Sequence, residues 1–447
     1  MGGSTANRKK WRSNLPFWRL LPVARDFGHS RQMLVSQQNR VAPEFLGCYR
    51  NVMNRRQFLQ QTGIAGASLA AAAPFSLLSG CAARRSVASA AIRAYAAPDT
   101  SFIGGACGLP PVHVYADREI RTVVGLRPYR PSGFVVRAEK LDDTLVIHNY
   151  GHGGGGITLS WGTAKLAVDL GLPGHTGPVA VLGCGAVGLA TARLLQEAGA
   201  AVTIYAKDLP PNTTSNIAGG QWFPAFVSQP EKRTALFNQQ FQAAVEFAYQ
   251  RYQIMVGPQY GIRWMRNYFL DNQPWNEQTY FGKESVVRSM LPEFRDLSPH
   301  EHPFPGYQFV RQFDTMIIEP PIYLAALMDE IRLAGASFKV MELRDRGEIQ
   351  KLPEKLVFNC TGLGAKSLFA DDELTPLKGQ LTILLPQPEV QYATLSLPGE
   401  SYMFPRTDGI LLGGTHEMGV WSLDPNLQKK QEILAQHKAF FGGFKKC

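Results

Sequence analysis

At 447 residues the chain is long enough for two or three domains with sizeable cores, and its 45% apolar content is that of an ordinary globular protein. The net charge of +10 is confined to a leader: residues 1–56 hold 11 Lys/Arg against 2 Asp/Glu, whereas from Cys81 onward 35 basic residues face 34 acidic ones. A near-neutral folded region gives no sign of the basic patch that nucleic acid requires, so no nucleic-acid partner is expected.

Taken in chain order, residues 1–52 are basic and aperiodic, and read as a misassigned or disordered leader upstream of a start at Met53. Residues 53–81 follow as a signal. Arg55-Arg56 with Phe58-Leu59 resembles a twin-arginine export signal, and the uncharged, Ala- and Gly-rich run 62–80 is too weakly apolar for a membrane span. The run ends Leu78-Ser79-Gly80-Cys81, which resembles a lipobox with Cys81 as the lipidated residue. A buried or interfacial helix is the alternative. The signal reading implies an exported bacterial protein on the periplasmic side, held to the membrane by a lipid anchor. None of the six cysteines has zinc or Cys-x-x-Cys spacing, so neither a metal nor a disulfide framework is expected.

A Ser/Ala-rich tether spans 82–118. Strand signals appear at Val123-Val124, 134–136 and 145–147, and apolar periodicity predicts a helix over 157–170. A flexible joint at 171–177 leads to a strand at 179–182, a Gly-rich turn, a helix at 189–198 and a second strand at 201–205. These elements make 119–225 one domain segment. An aromatic, amide-rich and partly helical lobe covers 226–312. A helix at 323–334 and strands at 339–343 and 356–358 return to the first domain over 313–365. Residues 366–425 carry antiparallel strand signals, and 426–447 a terminal helix over 428–441. The fold class is therefore α/β: a parallel sheet with helices plus a second domain with an antiparallel sheet.

Gly183-Cys184-Gly185-Ala186-Val187-Gly188 lies between the strand at 179–182 and the helix after it. Such a motif alone is often only a tight turn, but strand, turn, helix and second strand together read as a Rossmann unit. Gly183 permits the turn, Gly185 admits a pyrophosphate and Gly188 lets helix and strand pack, with the phosphates at the helix N-terminus beside Ala186 and Val187. An acid is expected at the end of the second strand, where Lys207 stands and Asp208 follows.

Gly125-Leu126-Arg127-Pro128-Tyr129-Arg130-Pro131 followed by His148-Asn149-Tyr150-Gly151-His152-Gly153-Gly154-Gly155-Gly156 resembles the GxRPxRP and HNYGHGG pair of the D-amino-acid oxidase and D-aspartate oxidase family. In that family the Rossmann motif comes first and this pair last, so the chain resembles a circularly permuted member over about 119–441. The resemblance implies FAD as cofactor, held non-covalently. It places Thr213, Thr214, Ala218, Gly219 and Gly220 along the cofactor, with Leu343 at the adenine and Thr361 beneath it. Gly156, Ile157 and Thr158 come at the flavin pyrimidine, and Gly153 also touches the cofactor. It also implies that Arg127 and Tyr402 hold the substrate carboxylate, and that the Gly153 carbonyl and Gln221 meet the amine. His416 occupies the position that is Arg in the acidic-substrate branch and apolar in the neutral one. The tyrosine four residues before Tyr402 is replaced by Pro398. Guanidinium suits a carboxylate on physical grounds alone. Arg130 is expected in structural ion pairs, His148 and His152 are expected to be structural, and Arg406 either lends charge to the pocket mouth or faces solvent.

The implied reaction is oxidation of a D-amino acid by hydride transfer to flavin N5, giving a 2-oxo acid, ammonia and, with oxygen as acceptor, hydrogen peroxide. No acid–base residue is implied. The alternatives are an exported dehydrogenase with another acceptor, an oxidase of glycine or N-methyl amino acids, and a non-enzymatic flavin lipoprotein.

Overall fold

The computed structural model describes residues 106–276, 279–397 and 401–445. The leader, the twin-arginine segment, Cys81 and Pro398 lie outside the described residues. In chain order the strands are β1 (Glu119–Tyr129), β2 (Val135–Leu141), β3 (Thr144–Tyr150), β4 (Val179–Leu182), β5 (Val202–Ala206), β6 (Ile262–Asp271), β7 (Arg295–Leu297), β8 (Phe309–Ile318), β9 (Ser337–Val340), β10 (Leu356–Asn359), β11 (Thr375–Leu384), β12 (Tyr392–Leu397), β13 (Ser401–Arg406), β14 (Gly409–Gly413) and β15 (Glu417–Met418). The longer helices are α1 (Gly156–Gly171), α2 (Ala186–Glu197), α3 (Ala235–Ile254), α4 (Pro320–Leu333) and α5 (Leu427–Gly442).

One sheet runs β2-β3-β10-β4-β5-β9, parallel from β3 to β9, with β2 antiparallel at its edge. Strands covered on both faces need continuous apolar runs, and all four residues of β4 and of β10 are buried. Helices α1 and α2 pack together, and α3 packs on α1. The second sheet runs β1-β11-β14-β13-β12-β6-β8-β7 with β15 on β11. It is antiparallel except where β12 meets β6 in parallel, Ala393 opposite Asn267. The fold is thus mixed α/β, a parallel sheet with helices beside a largely antiparallel one.

Four local expectations need correction. Helix α2 begins at Ala186, not 189, because Gly188 sits in its first turn for packing reasons that helix propensity does not register. Strand β9 ends at Val340, and the Met341 N–H bonds Ala206 O at 2.9 Å before the chain turns, so Leu343 lies beyond the strand. The tether ends early: Ala106, Leu109, Val112 and Val114 are buried in a cluster with Phe304, Phe440 and Phe441. Four isolated apolar residues carry no period, so composition hid their packing. Finally, Cys107 is disulfide-bonded, whereas Cys184 and Cys360 are buried free thiols. Among the described residues no helix is long and apolar enough to cross a membrane.

Candidate functional site

A cavity of about 620 Å³ follows the carboxyl ends of β3, β4, β5 and β10 and reaches the face of the second sheet. Ligands of open α/β sheets bind at that edge, because the helix N-termini and flexible turns gather there. The cavity wall includes Gly183, Gly185, Ala186, Val187, Asp208, Thr213, Thr214, Ala218, Gly219, Gly220, Leu343 and Thr361. It also includes Arg127, Gly153, Gly156, Ile157, Thr158, Gln221, Tyr402 and His416. Residues from eight separate stretches of sequence are thereby brought onto one surface. Gly188 stands behind the wall: a Cβ there would lie 2.1 Å from Gly183 O.

The turn after β4 is built for close backbone approach. Gly183 has φ +102, and a Cβ on it would stand 2.5 Å from Cys360 O. Gly185 caps α2 without a side-chain hydrogen bond. Ser215 accepts from the Ala186 N–H at 3.0 Å. The remaining donors of the first turn and the helix dipole favour an anion. These uncapped donors and the glycine-walled gap fit the pyrophosphate of a dinucleotide. At the far end Lys207 ion-pairs with Glu342 at 2.9 Å, so Lys207 is neutralised by a neighbour that also lines the cavity, and Asp208 stands beside it.

The other end holds two side chains laid flat on glycine. The Arg127 guanidinium passes over Gly379 on β11, where a Cβ would meet Nη1 and Nη2 at 2.5 Å. The Tyr402 ring crosses Gly413 on β14, where a Cβ would be 2.2 Å from its Cζ. Arg127 Nη2 donates to Tyr402 Oη at 3.5 Å, and Nη1 is buried without a protein partner. A buried cationic donor left over in a cavity is a site for an anionic ligand. Gly379 was not legible beforehand, since it acts on a residue far away in sequence. Gly379→Ala is expected to raise the Michaelis constant for a carboxylate substrate about tenfold by displacing the fork, with an unchanged flavin content as control. An unchanged Michaelis constant would count against this packing.

The neighbouring charges are quenched. Arg130 is tied to Asp371 at 2.9 Å and Glu373 at 2.7 Å, in the structural role expected of it. Arg406 neither faces solvent nor charges the cavity: it is buried, paired with Asp408 at 2.7 Å and donating to Ala218 O. His416 packs against Phe226 with 4.5 Å between ring centres and the rings tilted by 40°. Burial, aided by the Arg127 charge, pushes its pKa down to about 3, so it is neutral at physiological pH.

His148 and His152 are buried inside the fold, and His152 shares a hydrogen bond of 2.8 Å with Thr163 Oγ1. Burial lowers the pKa of His152 to about 3. The unfolded chain therefore binds a proton that the folded one refuses between about pH 6.5 and pH 3. Stability is expected to fall as pH drops through that window, by up to about 1.4 kcal/mol per pH unit from His152 alone. Urea midpoints of wild type and His152→Gln measured from pH 7 to 4 check this: wild type should lose more.

Residues 178–446 match the family described as FAD dependent oxidoreductase, DAO. Curated relatives include a D-amino-acid oxidase of Rubrobacter xylanophilus, 30% identical over 269 residues, which are 58% of this chain and 76% of that protein. A D-aspartate oxidase of Homo sapiens is 28% identical over 264 residues, 58% of this chain and 75% of its own length. A D-amino acid oxidase of Dugesia ryukyuensis is 28% identical over 276 residues, 60% and 79% respectively.

Proposed function

Since this chain belongs to the FAD-dependent oxidoreductase (DAO) family and its cofactor is FAD, we propose that it oxidises the α-carbon–nitrogen bond of a D-amino acid with an uncharged side chain. The observation that carries this reading is the buried, unpartnered Nη1 of Arg127 beside the Tyr402 hydroxyl. Arg127 and Tyr402 take the carboxylate as a charge-assisted, planar pair. The Gly153 carbonyl and Gln221 take the amine, so the α-carbon is held between two polar anchors and catalysis rests on positioning. The N–H groups of Gly156, Ile157 and Thr158 open α1, where the helix dipole stabilises negative charge. FAD, when bound along the cavity, supplies the two-electron chemistry, which yields an imino acid that hydrolyses to a 2-oxo acid and ammonia, with oxygen or another acceptor completing the cycle.

Side-chain preference follows from charge. Among the described residues the cavity wall carries Arg127 and the already paired Lys207, while His416 is neutral and Arg406 is committed to Asp408. A second carboxylate on the substrate would find no free cation there, so neutral D-amino acids are favoured over acidic ones. Anaerobic flavin bleaching across paired D- and L-amino acids tests the reading. Bleaching by D-alanine or D-phenylalanine well ahead of D-aspartate is expected, and bleaching by L-forms or by none would overturn it.

The order of the chain is circularly permuted. The family match begins at residue 178, at the start of β4, whereas β3 and α1 come before it and share its sheet and core. The connection from α1 to β4 is the seam, and the segment from Ala106 shares a cluster with the end of α5, so the other pair of ends is close as well. A chain reordered to start at residue 178, with 447 linked to 106, is expected to bind FAD. Failure of that chain to fold would argue against permutation. The signal at 53–81 exports the protein to the periplasmic side, and Cys81 anchors it by lipid. Radiolabelled palmitate lost in Cys81→Ser, and absence of label in wild type, are the opposing outcomes.

A further inference from the structure

We infer that Asn267 is a positioning residue that turns the carbonyl oxygen of Gln221 toward the cavity, making it an acceptor for the substrate's ammonium group. The inference rests on the reading of the cavity as an amino-acid site and adds a residue to it. Asn267 lies on β6 and is fully buried. Its Nδ2 donates to Met265 O at 2.8 Å. A backbone carbonyl only accepts, so the Asn267 amide fits with its nitrogen on that side and its Oδ1 on the other. Oδ1 faces Gln221, whose Nε2 donates to it at 2.8 Å. With its nitrogen committed, Gln221 has Oε1 left for a ligand in the cavity it lines.

The backbone around Gln221 is held independently. Residue 221 bridges Ile317, the Trp222 N–H donates to Met316 O at 2.8 Å, Thr315 Oγ1 donates to Trp222 O at 2.8 Å, and the Phe223 N–H donates to Thr158 Oγ1 at 3.1 Å. The side-chain amide is therefore the part left to choose an orientation, and its two ends differ in chemistry alone. An ammonium has three donors and no acceptor, so an amide offering NH₂ would repel it while one offering oxygen binds it. Asn267 makes that choice before the ligand arrives, and a buried Asn whose two ends are both spoken for cannot reverse without leaving polar groups unpaired.

The test uses two ligands that cannot be oxidised by loss of an α-hydrogen together with an amine: 2-aminoisobutyrate, which has carboxylate and ammonium but no α-hydrogen, and isobutyrate, which lacks the amine. Both are titrated calorimetrically into the FAD-loaded full-length protein. Asn267→Leu is expected to weaken 2-aminoisobutyrate about tenfold, the order for losing an ordered hydrogen bond to a charged group, and to leave isobutyrate within about twofold. Asn267→Ala removes the same acceptor without adding bulk and should weaken 2-aminoisobutyrate to a similar extent, which covers a failure of the leucine variant to fold. Equal weakening of the two ligands, or no weakening of either, overturns the role of Asn267 alone. Wild-type protein that binds isobutyrate no more weakly than 2-aminoisobutyrate overturns the amine contact itself. Wild-type protein that binds neither overturns the amino-acid reading of the cavity, and this inference with it.

Discussion

Arg127→Ala is expected to raise the Michaelis constant for the preferred D-amino acid by about 30-fold or more, equivalent to about 2–5 kcal/mol of lost binding, the range for removing one partner of a buried charge pair. The size follows from the surroundings. Nη1 is buried and unpartnered, Arg130 and Arg406 are consumed by carboxylates of their own, and His416 is uncharged, so no neighbouring cation stands in for the lost guanidinium. Arg127→Lys should fall between, because an ammonium keeps the charge but loses the fork that lies across Gly379. Flavin content should stay at the wild-type level in both. Steady-state kinetics with the flavin-to-protein ratio as control decides the matter: an unchanged Michaelis constant removes Arg127 from the substrate site, and a loss of flavin moves it to the cofactor.

The difference between what could be read in the sequence and what could not follows the range of the interactions. Strand β4 is a short apolar run directly before a glycine turn, and its bounds at Val179 and Leu182 are those the pattern predicts. The helix over 157–170 and the terminal helix were equally legible from local periodicity, each within about one residue of α1 and α5. Pairing between distant strands was not. The parallel meeting of β12 with β6 brings Asn267 behind the cavity, and nothing near residue 267 announces it, since an Asn between Arg266 and Tyr268 in a strand looks like an exposed edge position. Gly379 likewise looks like an interruption of a strand, and acquires a purpose only when Arg127 is laid over it. The fate of Arg406 turned on Asp408, two residues away, but also on burial, which a short motif does not reveal.

Gly188→Val is expected to yield a protein that folds poorly around FAD, with the flavin-to-protein ratio after desalting reduced to a small fraction of wild type. A Cβ at this position would stand 2.1 Å from the Gly183 carbonyl oxygen and 2.9 Å from its carbon, and both atoms belong to backbone that cannot rotate aside. The helix α2 would have to move away from the end of β4. That movement costs about 1–3 kcal/mol as overpacking, and it also carries the free N–H groups of the first turn away from where the pyrophosphate is expected. The Val187 carbonyl, which accepts from Thr191 Oγ1 at 2.8 Å, would shift as well and loosen the contact between Thr191 and Cys360 beneath the turn. Gly442→Ala is the matched control: it is also a helical glycine, but a Cβ there meets nothing within 4 Å, and it lies at the end of α5 outside the cavity wall. That variant should keep its flavin and be no less stable than wild type, because Ala favours the helix over Gly. Retention of FAD by Gly188→Val would mean that the turn after β4 tolerates displacement, and the pyrophosphate would then have to be held by the Thr213–Thr214 side of the cavity instead.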